Sequence, residues 1–417
     1  MRLPFSTLLC CAALSFMFSA QIAVGQFVYV DDNNGPNTVT VFPVSGFALA
    51  TPASYTTFGN GVPGQDGGAE QVVASYSSVN CLYVSDANGS VPFPNGDIAS
   101  FVINGPSTVF VANTIDPSAT GGPNKGIPLA VDRRTGFPYL FAGFTSSNEI
   151  AFFKINPSTC QPFWSSSTTA VGVSGAPLEA LAVSAAGPHI LIATYADGSI
   201  QSFKVGGGVL IPTGPPFQST GFTTQFGVPD GIDITANGKF AIFGDRNSIA
   251  EVEVSKIMPS GALTPTVDYG GPANASGVNL GPGVGAENVW ISPGVMAGNN
   301  YVYVSNNLSR QVTTIKLAPA AGIVTAIPST TCTGLFTNPT NLNNTSGWMF
   351  NAGIQTEQTT GTGGVIYVAE FGTPSSVAVL KVQNTGCTRE AVPFGSPFTD
   401  PASNAATGVA VFPPRPF

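Results

Sequence analysis

Seven copies of a hairpin pattern recur along the chain, and this repeat constrains the fold more than any other feature. Each copy is a short apolar strand, a polar turn and a second alternating strand, as in YVYVSNNLSRQVTTIKL at 301–317. The copies lie at 27–44, 81–103, 139–155, 189–205, 239–254, 301–317 and 365–382. Their starts are roughly 50 to 65 residues apart, enough for one four-stranded blade, so the repeat predicts an all-β, seven-bladed β-propeller.

A second alternating element lies between the hairpins, each time after a loop rich in Gly or Pro. Its copies are at 70–75, 127–132, 179–184, 230–235, 287–292, 346–351 and 407–412. Alternation with small residues is typical of a strand with one face on a narrow channel and the other packed between blades. We therefore interpret these segments as the innermost strand of each blade.

The two ends of the chain each lack one piece of the repeat. The first hairpin has no inner strand before it, and the inner strand at 407–412 has no hairpin after it. Pairing of Thr407–Phe412 beside Phe27–Val30 would complete one blade from both ends of the chain. Such closure removes the exposed sheet edge that an open ring would present. Residues 26–417 are thus expected to form a single domain.

Three insertions interrupt the regular repeat, at 104–126, 265–286 and 352–364. All three are rich in Gly, Pro, Thr and Asn, which predicts loops or irregular outer strands. Long loops on a rigid scaffold often carry binding sites, but solvated spacers without a role have the same composition. Both interpretations remain open from the sequence.

Residues 1–25 have the pattern of a secretory signal. Arg2 supplies a positive start, residues 8–18 an apolar run too short to span a membrane, and residues 23–25 (AVG) a cleavage site before Gln26. A lipoprotein would need a cysteine just after the apolar run, and Cys10 and Cys11 come too early. No later stretch is long and apolar enough for an integral membrane segment, so we expect a secreted or periplasmic protein.

The charge of the mature chain is low and acidic. Removal of Arg2 leaves 13 Lys and Arg against 22 Asp and Glu, a net charge of −9. This balance disfavours nucleic acid and anionic membrane surfaces as partners. Charged residues make up only 9% of the chain, but 43% apolar residues argue against disorder.

Four cysteines remain after the signal, namely Cys81, Cys160, Cys332 and Cys387. They fall in four different predicted blades without a CxxC spacing, which argues against a metal cluster. A disulfide between blades requires Cα atoms within about 7 Å. We expect free buried thiols or at most one bridge, with the connectivity undetermined.

The strand-and-turn copies CLYVSDANG, YVYVSNNLS and VIYVAEFGT resemble the repeat of the YVTN family of β-propellers and of the related lactonase-type propellers, which include bacterial 6-phosphogluconolactonase. The resemblance covers nearly all of the mature chain and implies an exported, seven-bladed, lactonase-like propeller. Enzymes of this group are expected to carry a His and Arg set at one channel mouth. The only histidine here, His189, falls in a turn on the opposite face, where a structural role is the expectation.

Alignment of the inner strands places acids at one equivalent position in four of the seven blades: Glu70, Glu179, Asp230 and Glu287. Equivalent positions form a ring about the propeller axis, so these carboxylates should gather at one channel mouth. Their mutual repulsion favours a compensating cation, and oxygen ligands of this kind suit Ca²⁺. The alternatives are that each carboxylate accepts hydrogen bonds from loop amides, or that the group is catalytic.

A second set of polar residues opens the hairpin turns: Asp31, Asp32, Asp86, Asp197, Asp245, Asn306 and Glu370. Asp and Asn are favoured there because their side chains accept hydrogen bonds from amides two residues on. The hairpin turns should share a face with the acid ring. Arg246 and Arg310, in hairpins of adjacent blades, are candidates with Asp245 for binding a ligand carboxylate or phosphate, or for neutralising nearby acids.

Two functions follow from these patterns. The first is a non-catalytic, monomeric, exported protein that binds a small molecule, a glycan or a protein through one channel mouth and the long loops. The alternative is a lactone or sugar-acid hydrolase similar to 6-phosphogluconolactonase, with a water activated by metal at the acid ring. No nucleophile elbow, phosphate-binding loop or zinc-binding HExxH motif is present in the sequence.

Overall fold

The computed structural model describes most of the chain beyond the predicted signal. The described residues are 26–46, 48–62, 72–76, 79–88, 95–105, 107–119, 124, 126–132, 134, 139–218, 229–245, 251–264, 267–268, 286–291, 300–306, 311–320, 323–327, 351–359, 363–370, 374–383, 390–395, 398–403 and 406–412. The predicted signal at 1–25 lies outside them, as do Glu70, Arg246, Arg310, Cys332 and Cys387.

Every regular element of the described residues is a β-strand, because short alternating apolar segments are separated by Gly, Pro and Asn turns. In chain order the strands are β1 (Phe27–Asp31), β2 (Thr38–Ser45), β3 (Ala48–Leu49), β4 (Ala53–Thr56), β5 (Val72–Tyr76), β6 (Asn80–Asp86), β7 (Asp97–Asn104), β8 (Ser107–Thr114), β9 (Leu129–Val131), β10 (Tyr139–Phe144), β11 (Glu149–Ile155), β12 (Pro162–Thr169), β13 (Leu178–Val183), β14 (Ile190–Tyr195), β15 (Ser199–Gly206), β16 (Val209–Pro212), β17 (Phe217–Gln218), β18 (Pro229–Ile234), β19 (Phe240–Asp245), β20 (Glu251–Lys256), β21 (Val267–Asp268), β22 (Ala286–Ile291), β23 (Asn300–Asn306), β24 (Gln311–Ala320), β25 (Ile323–Ile327), β26 (Asn351–Thr359), β27 (Gly363–Glu370), β28 (Ser376–Gln383), β29 (Glu390–Pro393), β30 (Phe398–Thr399) and β31 (Gly408–Phe412). None of the described residues forms a helix that could cross a membrane.

The strands form seven antiparallel sheets, which we number in chain order. Sheet 1 contains β31 with β1–β4, and sheets 2 to 7 contain β5–β8, β9–β12, β13–β17, β18–β21, β22–β25 and β26–β30. The innermost strands of the seven sheets contact one another in a closed cycle, β5, β9, β13, β18, β22, β26, β31 and back to β5. The protein is therefore an all-β propeller.

The predicted closure of the ring is confirmed. Strand β31 pairs antiparallel with β1, and Phe412 lies opposite Phe27 while Gly408 lies opposite Asp31. Val409, Val411 and Phe412 are buried in this contact. Both ends of the mature chain therefore complete sheet 1.

The hydrophobic core lies between neighbouring sheets. For example, Tyr83 of sheet 2 and Phe153 of sheet 3 belong to one buried cluster, and Tyr29 of sheet 1 and Phe101 of sheet 2 belong to another. The second strands β1, β10 and β14 bury nearly all of their residues on both faces, because a blade is covered by a neighbour on either side, whereas outer strands such as β4 and β16 are mostly exposed. This explains why the inner and second strands read as nearly continuous apolar runs.

One predicted inner strand was wrong. We expected the inner strand of sheet 7 at 346–351 and a loop at 352–364, but β26 spans Asn351–Thr359 and pairs with β27. The apolar SGWMFN segment suggested a core strand, whereas β26 (NAGIQTEQT) is polar. Residues 346–350 themselves lie outside the described part of the chain.

Cys81 and Cys160 form a disulfide between β6 and the turn after β11, with Cα atoms 5.4 Å apart. The bridge joins sheets 2 and 3. It agrees with the expectation of at most one bridge among the described residues, and the pairing itself was not predicted from the sequence.

Candidate active site at the upper end of the channel

We call the end at which the inner strands begin the upper end, and mark it by Glu179 at the start of β13. The hairpin turns lie at this end as predicted, because Ala196 N, just after β14, donates a hydrogen bond to Pro177 O just before β13 at 2.9 Å. Gly143 N and Pro128 O make the same contact in sheet 3, at 2.9 Å. The hairpin turns therefore border the loops that lead into the inner strands.

Three of the four predicted ring acids occupy the same irregularity in successive inner strands. The register between inner and second strand shifts at Leu178/Ala180, at Pro229/Gly231 and at Ala286/Asn288. The residues skipped by these shifts are Glu179, Asp230 and Glu287. A β-bulge leaves its extra residue unpaired and changes the direction of the local side chain, and bulges are frequent beside active sites.

The same shift occurs in sheet 7 between Asn351 and Gly353, where the skipped residue is Ala352. Three acids therefore stand in a row over sheets 4, 5 and 6, and the row stops at sheet 7. The Glu179 residue is half-buried and takes part in at least one hydrogen bond or other electrostatic interaction. The side chains of Asp230 and Glu287, and the whole of Glu70, lie outside the described part of the structure, so the predicted Ca²⁺ site stays a prediction.

Asp31 and Asp197 each accept a hydrogen bond from the amide two residues on, as the sequence predicted for the hairpin acids. Asp197 accepts hydrogen bonds from the backbone N of Ser174 at 2.7 Å and of Ser199 at 3.0 Å, and also from both serine hydroxyls. These donors outweigh the effect of burial, which alone would raise the pKa of Asp197, so its pKa is lowered. Asp197 thereby holds the loop that precedes β13.

The hairpin acids of sheets 1 and 2 are completely buried. Burial raises the pKa of Asp31 to about 7, against hydrogen bonds from Asn37, Asn33 and Thr407. Burial also raises the pKa of Asp86 well above its usual value, and the nearby charge of Asp97 adds to the effect. These groups are therefore expected to hold protons at pH values at which an exposed aspartate is ionised.

Asn37 joins the two sheets in this region. Its Nδ2 donates to Asp31 Oδ1 and to Asp86 Oδ1, both at 2.9 Å. Thr57 Oγ1 donates to the same Asp86 oxygen at 2.7 Å. Asp86 therefore connects sheet 2 to the loop from sheet 1 in the same way that Asp197 connects sheet 4 to its own incoming loop.

The sequence analysis did not identify Asp400, a residue near the C-terminus that lies close to Asp32. Thr40 Oγ1 lies 2.9 Å from Asp32 Oδ2 and 3.1 Å from Asp400 Oδ1. The pKa of Asp32 is raised, chiefly because Asp32 is buried and secondly because the charge of Asp400 is close. Asp400 lies in an Asp-Pro turn in which Ala402 N donates to Asp400 Oδ1 at 3.0 Å. Asp116 has the same turn, with Ser118 N at 2.8 Å. The repeated motif, DPSA at 116–119 and DPAS at 400–403, is the signal that could have identified both residues.

The three predicted ligand-binding residues are only partly placed. Asp245 ends β19, and its register partners are Pro229 and Glu251. It therefore lies at the upper end beside the Asp230 bulge, although its side chain is outside the described part of the structure. Arg246 comes directly after β19, and Arg310 comes directly before β24. Both arginines lie outside the described residues.

His189 lies at the other end of the channel, in the turn of residues 184–189 after β13. Its Nε2 contacts the buried Asp132 Oδ2, and Arg134 Nη2 donates to Ser184 Oγ at 2.8 Å and Pro188 O at 3.0 Å. Glu179 lies five residues before Ser184, the first residue of this turn, which is about 17 Å at 3.3 Å per residue. His189 therefore cannot act on a small substrate held at Glu179, and its contacts fit the structural role expected for it.

Among the described residues, no group of three or more His, Cys, Asp or Glu side chains could hold a metal ion. Asp230 and Glu287 are not among these residues, because their side chains lie outside the described part of the structure. Carboxylate oxygens are the ligands that Ca²⁺ prefers, so the chemical composition of the bulge row fits this ion.

No protein-family model and no curated protein matches the chain. Solved structures do match over nearly its full length. A putative 6-phosphogluconolactonase from Bacteroides fragilis has a TM-score of 0.59 at 14% identity, covering 94% of this chain and 99% of its own. A protein from Lactobacillus plantarum has a TM-score of 0.61 at 13% identity, covering 93% and 99%.

The periplasmic gluconolactonase of Pseudomonas aeruginosa also matches, with a TM-score of 0.57 at 13% identity, covering 89% of this chain and 97% of its own. At such low identities the likeness establishes the propeller fold. It agrees with the expected similarity to lactonase-type propellers.

Proposed function

We propose that the chain is an exported, seven-bladed, lactonase-like propeller that hydrolyses a lactone of a sugar acid at the upper end of its channel. The observation that carries this proposal is the row of bulges with Glu179, Asp230 and Glu287 at one register position. Two of the matching structures bear the names of a putative 6-phosphogluconolactonase and a gluconolactonase. Nothing in the described residues or the comparisons favours the alternative of a non-catalytic binding protein.

Lactone hydrolysis needs a base that takes a proton from water while the water oxygen attacks the ring carbonyl. The tetrahedral intermediate then collapses, the ring oxygen leaves, and it takes up a proton to become a hydroxyl group. A carboxylate at a channel mouth can accept the first proton and return it to the leaving oxygen. We assign this role to Glu179, which is half-buried and stands at the bulge near the start of β13.

Arg246 and Arg310 would bind the negative charge of the substrate or of the intermediate, because they fall in sequence between β19 and β20 and between β23 and β24, whose hairpin ends lie at the upper end. Ca²⁺, if bound by Glu70, Glu179, Asp230 and Glu287, would supply polarisation of the carbonyl oxygen and a lower pKa for a coordinated water. In either case the row of acids positions the attacking water beside the carbonyl carbon.

The test is hydrolysis of glucono-δ-lactone and of a phosphorylated sugar lactone by the purified mature chain, with the spontaneous rate subtracted. Glu179→Gln removes the proposed base and should lower kcat by about 100-fold or more, with little change in KM. Glu149→Gln is the matched control, because Glu149 is a half-exposed glutamate at the start of β11, outside the bulge row.

The proposal predicts activity in the wild type and in Glu149→Gln, and loss of it in Glu179→Gln. Assays with EDTA and with added Ca²⁺ decide separately whether a metal takes part. Rates equal to the spontaneous rate on every lactone, with the protein folded by circular dichroism, would overturn the hydrolase assignment. Retention of full activity in Glu179→Gln would overturn the role of the bulge row.

A further inference from the structure

The lysines of the chain occupy a repeated position at the lower end, which we define as the end bearing the His189 turn. Lys154, Lys204 and Lys256 are each paired in register with the first residue of the second strand of their sheet: Tyr139, Ile190 and Phe240. Lys381 of sheet 7 pairs with Val365 close to the corresponding position, and Lys316 of sheet 6 pairs with Tyr301. With Lys239, which directly precedes β19, six of the seven lysines in the sequence therefore lie at one end of the propeller.

The lower end of sheets 3 to 5 carries few acids. The turns at 156–161, 206–208 and 257–262 contain no Asp or Glu, and Asp132 is buried against His189 and Arg134. In sheet 7, by contrast, Glu357 and Glu390 lie in strands near Lys381. The basic surface of sheets 3 to 5 is therefore formed by Lys154, Lys204 and Lys256 on the third strands and by Lys239 just before β19, and all four side chains are exposed.

Each of the first two lysines reaches the turn of the next sheet. A Cβ built on Gly208 would lie 3.5 Å from Lys154 Nζ, and one built on Gly261 would lie 3.8 Å from Lys204 Cγ. Exposed aliphatic side chains accompany both turns, since Val209 is 43% exposed and Met258 is 38% exposed. Ile211, two residues after Val209, is 54% exposed. Ammonium groups and apolar side chains therefore alternate along the lower edge of sheets 3 to 5.

We propose that this lower edge, formed by Lys154, Lys204, Lys256, Val209, Ile211 and Met258, docks the protein on an anionic lipid surface. The combination of lysines with exposed apolar side chains is the one that peripheral proteins use at lipid headgroups. Phe163, the register partner of Lys154, is 49% exposed and Trp164 is 43% exposed, and exposed Phe and Trp beside lysines are typical of a face that lies at a lipid interface. The negative net charge of the whole chain disfavoured anionic membranes as partners. That total includes the acids of the upper end, so it does not describe the local charge of this basic edge.

This docking site is independent of the proposed lactonase site. The lysines and Glu179 lie at opposite ends of the channel, so a docked molecule would keep its upper end open to solvent. The acidic upper end would also be repelled from an anionic surface, which fixes the orientation. The same charge separation therefore selects one end for the membrane and the other for the substrate.

The test is co-sedimentation of the mature chain with vesicles of phosphatidylcholine alone and with one third phosphatidylglycerol. The protein should bind the anionic vesicles and not the neutral ones, and binding should weaken as salt is raised. The triple variant Lys154→Gln, Lys204→Gln, Lys256→Gln should weaken binding by about 100-fold, because each lysine near an anionic surface contributes about fivefold. The triple Lys→Arg variant keeps the charges and should bind as the wild type does.

A second variant tests the apolar contacts. Met258→Ser with Val209→Ser should weaken binding to anionic vesicles several-fold without changing its salt dependence. Equal binding to neutral and anionic vesicles would overturn the proposal, and so would wild-type affinity in the Lys→Gln variant. Capture by immobilised polygalacturonate without vesicle binding would assign the edge to an acidic polysaccharide instead. Lactone hydrolysis measured without vesicles is unaffected by either result, which separates this proposal from the proposed function.

Discussion

Asp86 and Asp197 occupy the same place in sheets 2 and 4 and have opposite electrostatic character. Each follows the second strand of its sheet, and a glycine of the incoming loop lies against each: a Cβ on Gly59 or on Gly172 would come within 2.4 Å of the carboxyl group. Yet the pKa of Asp86 is raised and that of Asp197 is lowered. One fold position therefore supports either a protonated or an ionised carboxyl group.

The difference lies in the donors. Asp197 accepts from two backbone amides and two hydroxyls, which stabilise the carboxylate. Asp86 accepts from Asn37 and Thr57 at one oxygen, and its Oδ2 has no hydrogen-bond partner among the described residues. A full set of donors keeps a buried carboxyl group charged, whereas a partial set and neighbouring acids favour its neutral form.

The protonated acids cluster where the ring closes. Asp31 and Asp32 end the first strand, Asp400 belongs to the segment before β31, and Asp86 is joined to Asp31 through Asn37. No Lys or Arg forms an ion pair with these carboxyl groups within the part of the chain that the structure describes. Among the described residues, the closing sheet is therefore held by hydrogen bonds to acids with raised pKa values and by apolar packing.

The largest expected effect comes from removing the closure itself. Deletion of residues 406–417 removes β31, exposes the edge of β1 and leaves Asp31 without Thr407. We expect loss of cooperative unfolding and aggregation, measured by calorimetry and light scattering. Deletion of residues 413–417 alone keeps β31 and is the control. A truncated protein that melts like the full chain would show that the closing pairing contributes little.

The order of the strands could be predicted because it is determined by short-range sequence patterns. Hairpin spacing, Gly and Pro turns and alternating apolar residues predicted the sheets, and the missing pieces at the two ends predicted the pairing of β1 with β31. The strand β26 was not predictable in this way, since its sequence NAGIQTEQT carries little apolar signal and its place is set by packing between β22 and β31.

The register of the acid row was predictable, and the pKa shifts of the hairpin acids were not. Alignment of the inner strands places Glu179, Asp230 and Glu287 at one position, and each of them is the residue that a bulge skips, while their role in binding or catalysis stays a proposal. The opposite pKa shifts of Asp86 and Asp197 depend on Asn37, Thr57 and Ser174, which come from loops of a different repeat copy or from before the strand. Such contacts follow from the assembled ring and leave no pattern within one repeat.

The next effect in size is the pH dependence of stability. Asp31 has a pKa of about 7 in the folded chain and about 3.8 when exposed, so the folded state binds the proton more tightly. Its protonation therefore stabilises the fold below pH 4, and this contribution is lost as the pH rises towards 7. The raised pKa values of Asp32, Asp86 and Asp400 act in the same direction.

The loss from Asp31 alone amounts to about 4 kcal/mol in the free energy of unfolding, at about 1.4 kcal/mol per pKa unit. Calorimetry at pH 5 and pH 7.5, at fixed ionic strength, should give the higher melting temperature at pH 5. A melting temperature that rises between these two values would contradict the protonated cluster. If added Ca²⁺ removed the dependence, the carboxyl groups would be binding an ion in place of protons.

The smallest effect is the most direct test of the comparison, because one substitution is made at both positions. Asp197→Asn places an NH₂ group against the donors of Ser174 or Ser199, and should lower the free energy of unfolding by about 2 kcal/mol at pH 7. Asp86→Asn keeps the oxygen that accepts from Asn37 and Thr57, and replaces the oxygen that has no partner. Because it fixes the neutral form, Asp86→Asn should change stability at pH 7 by less than about 0.5 kcal/mol, or raise it, and should flatten the pH dependence. Urea unfolding of both variants at pH 5 and pH 7.5 measures these differences. Equal losses at pH 7 would mean that Asp86 is ionised like Asp197, and that the distinction between the closing sheets and sheet 4 does not hold.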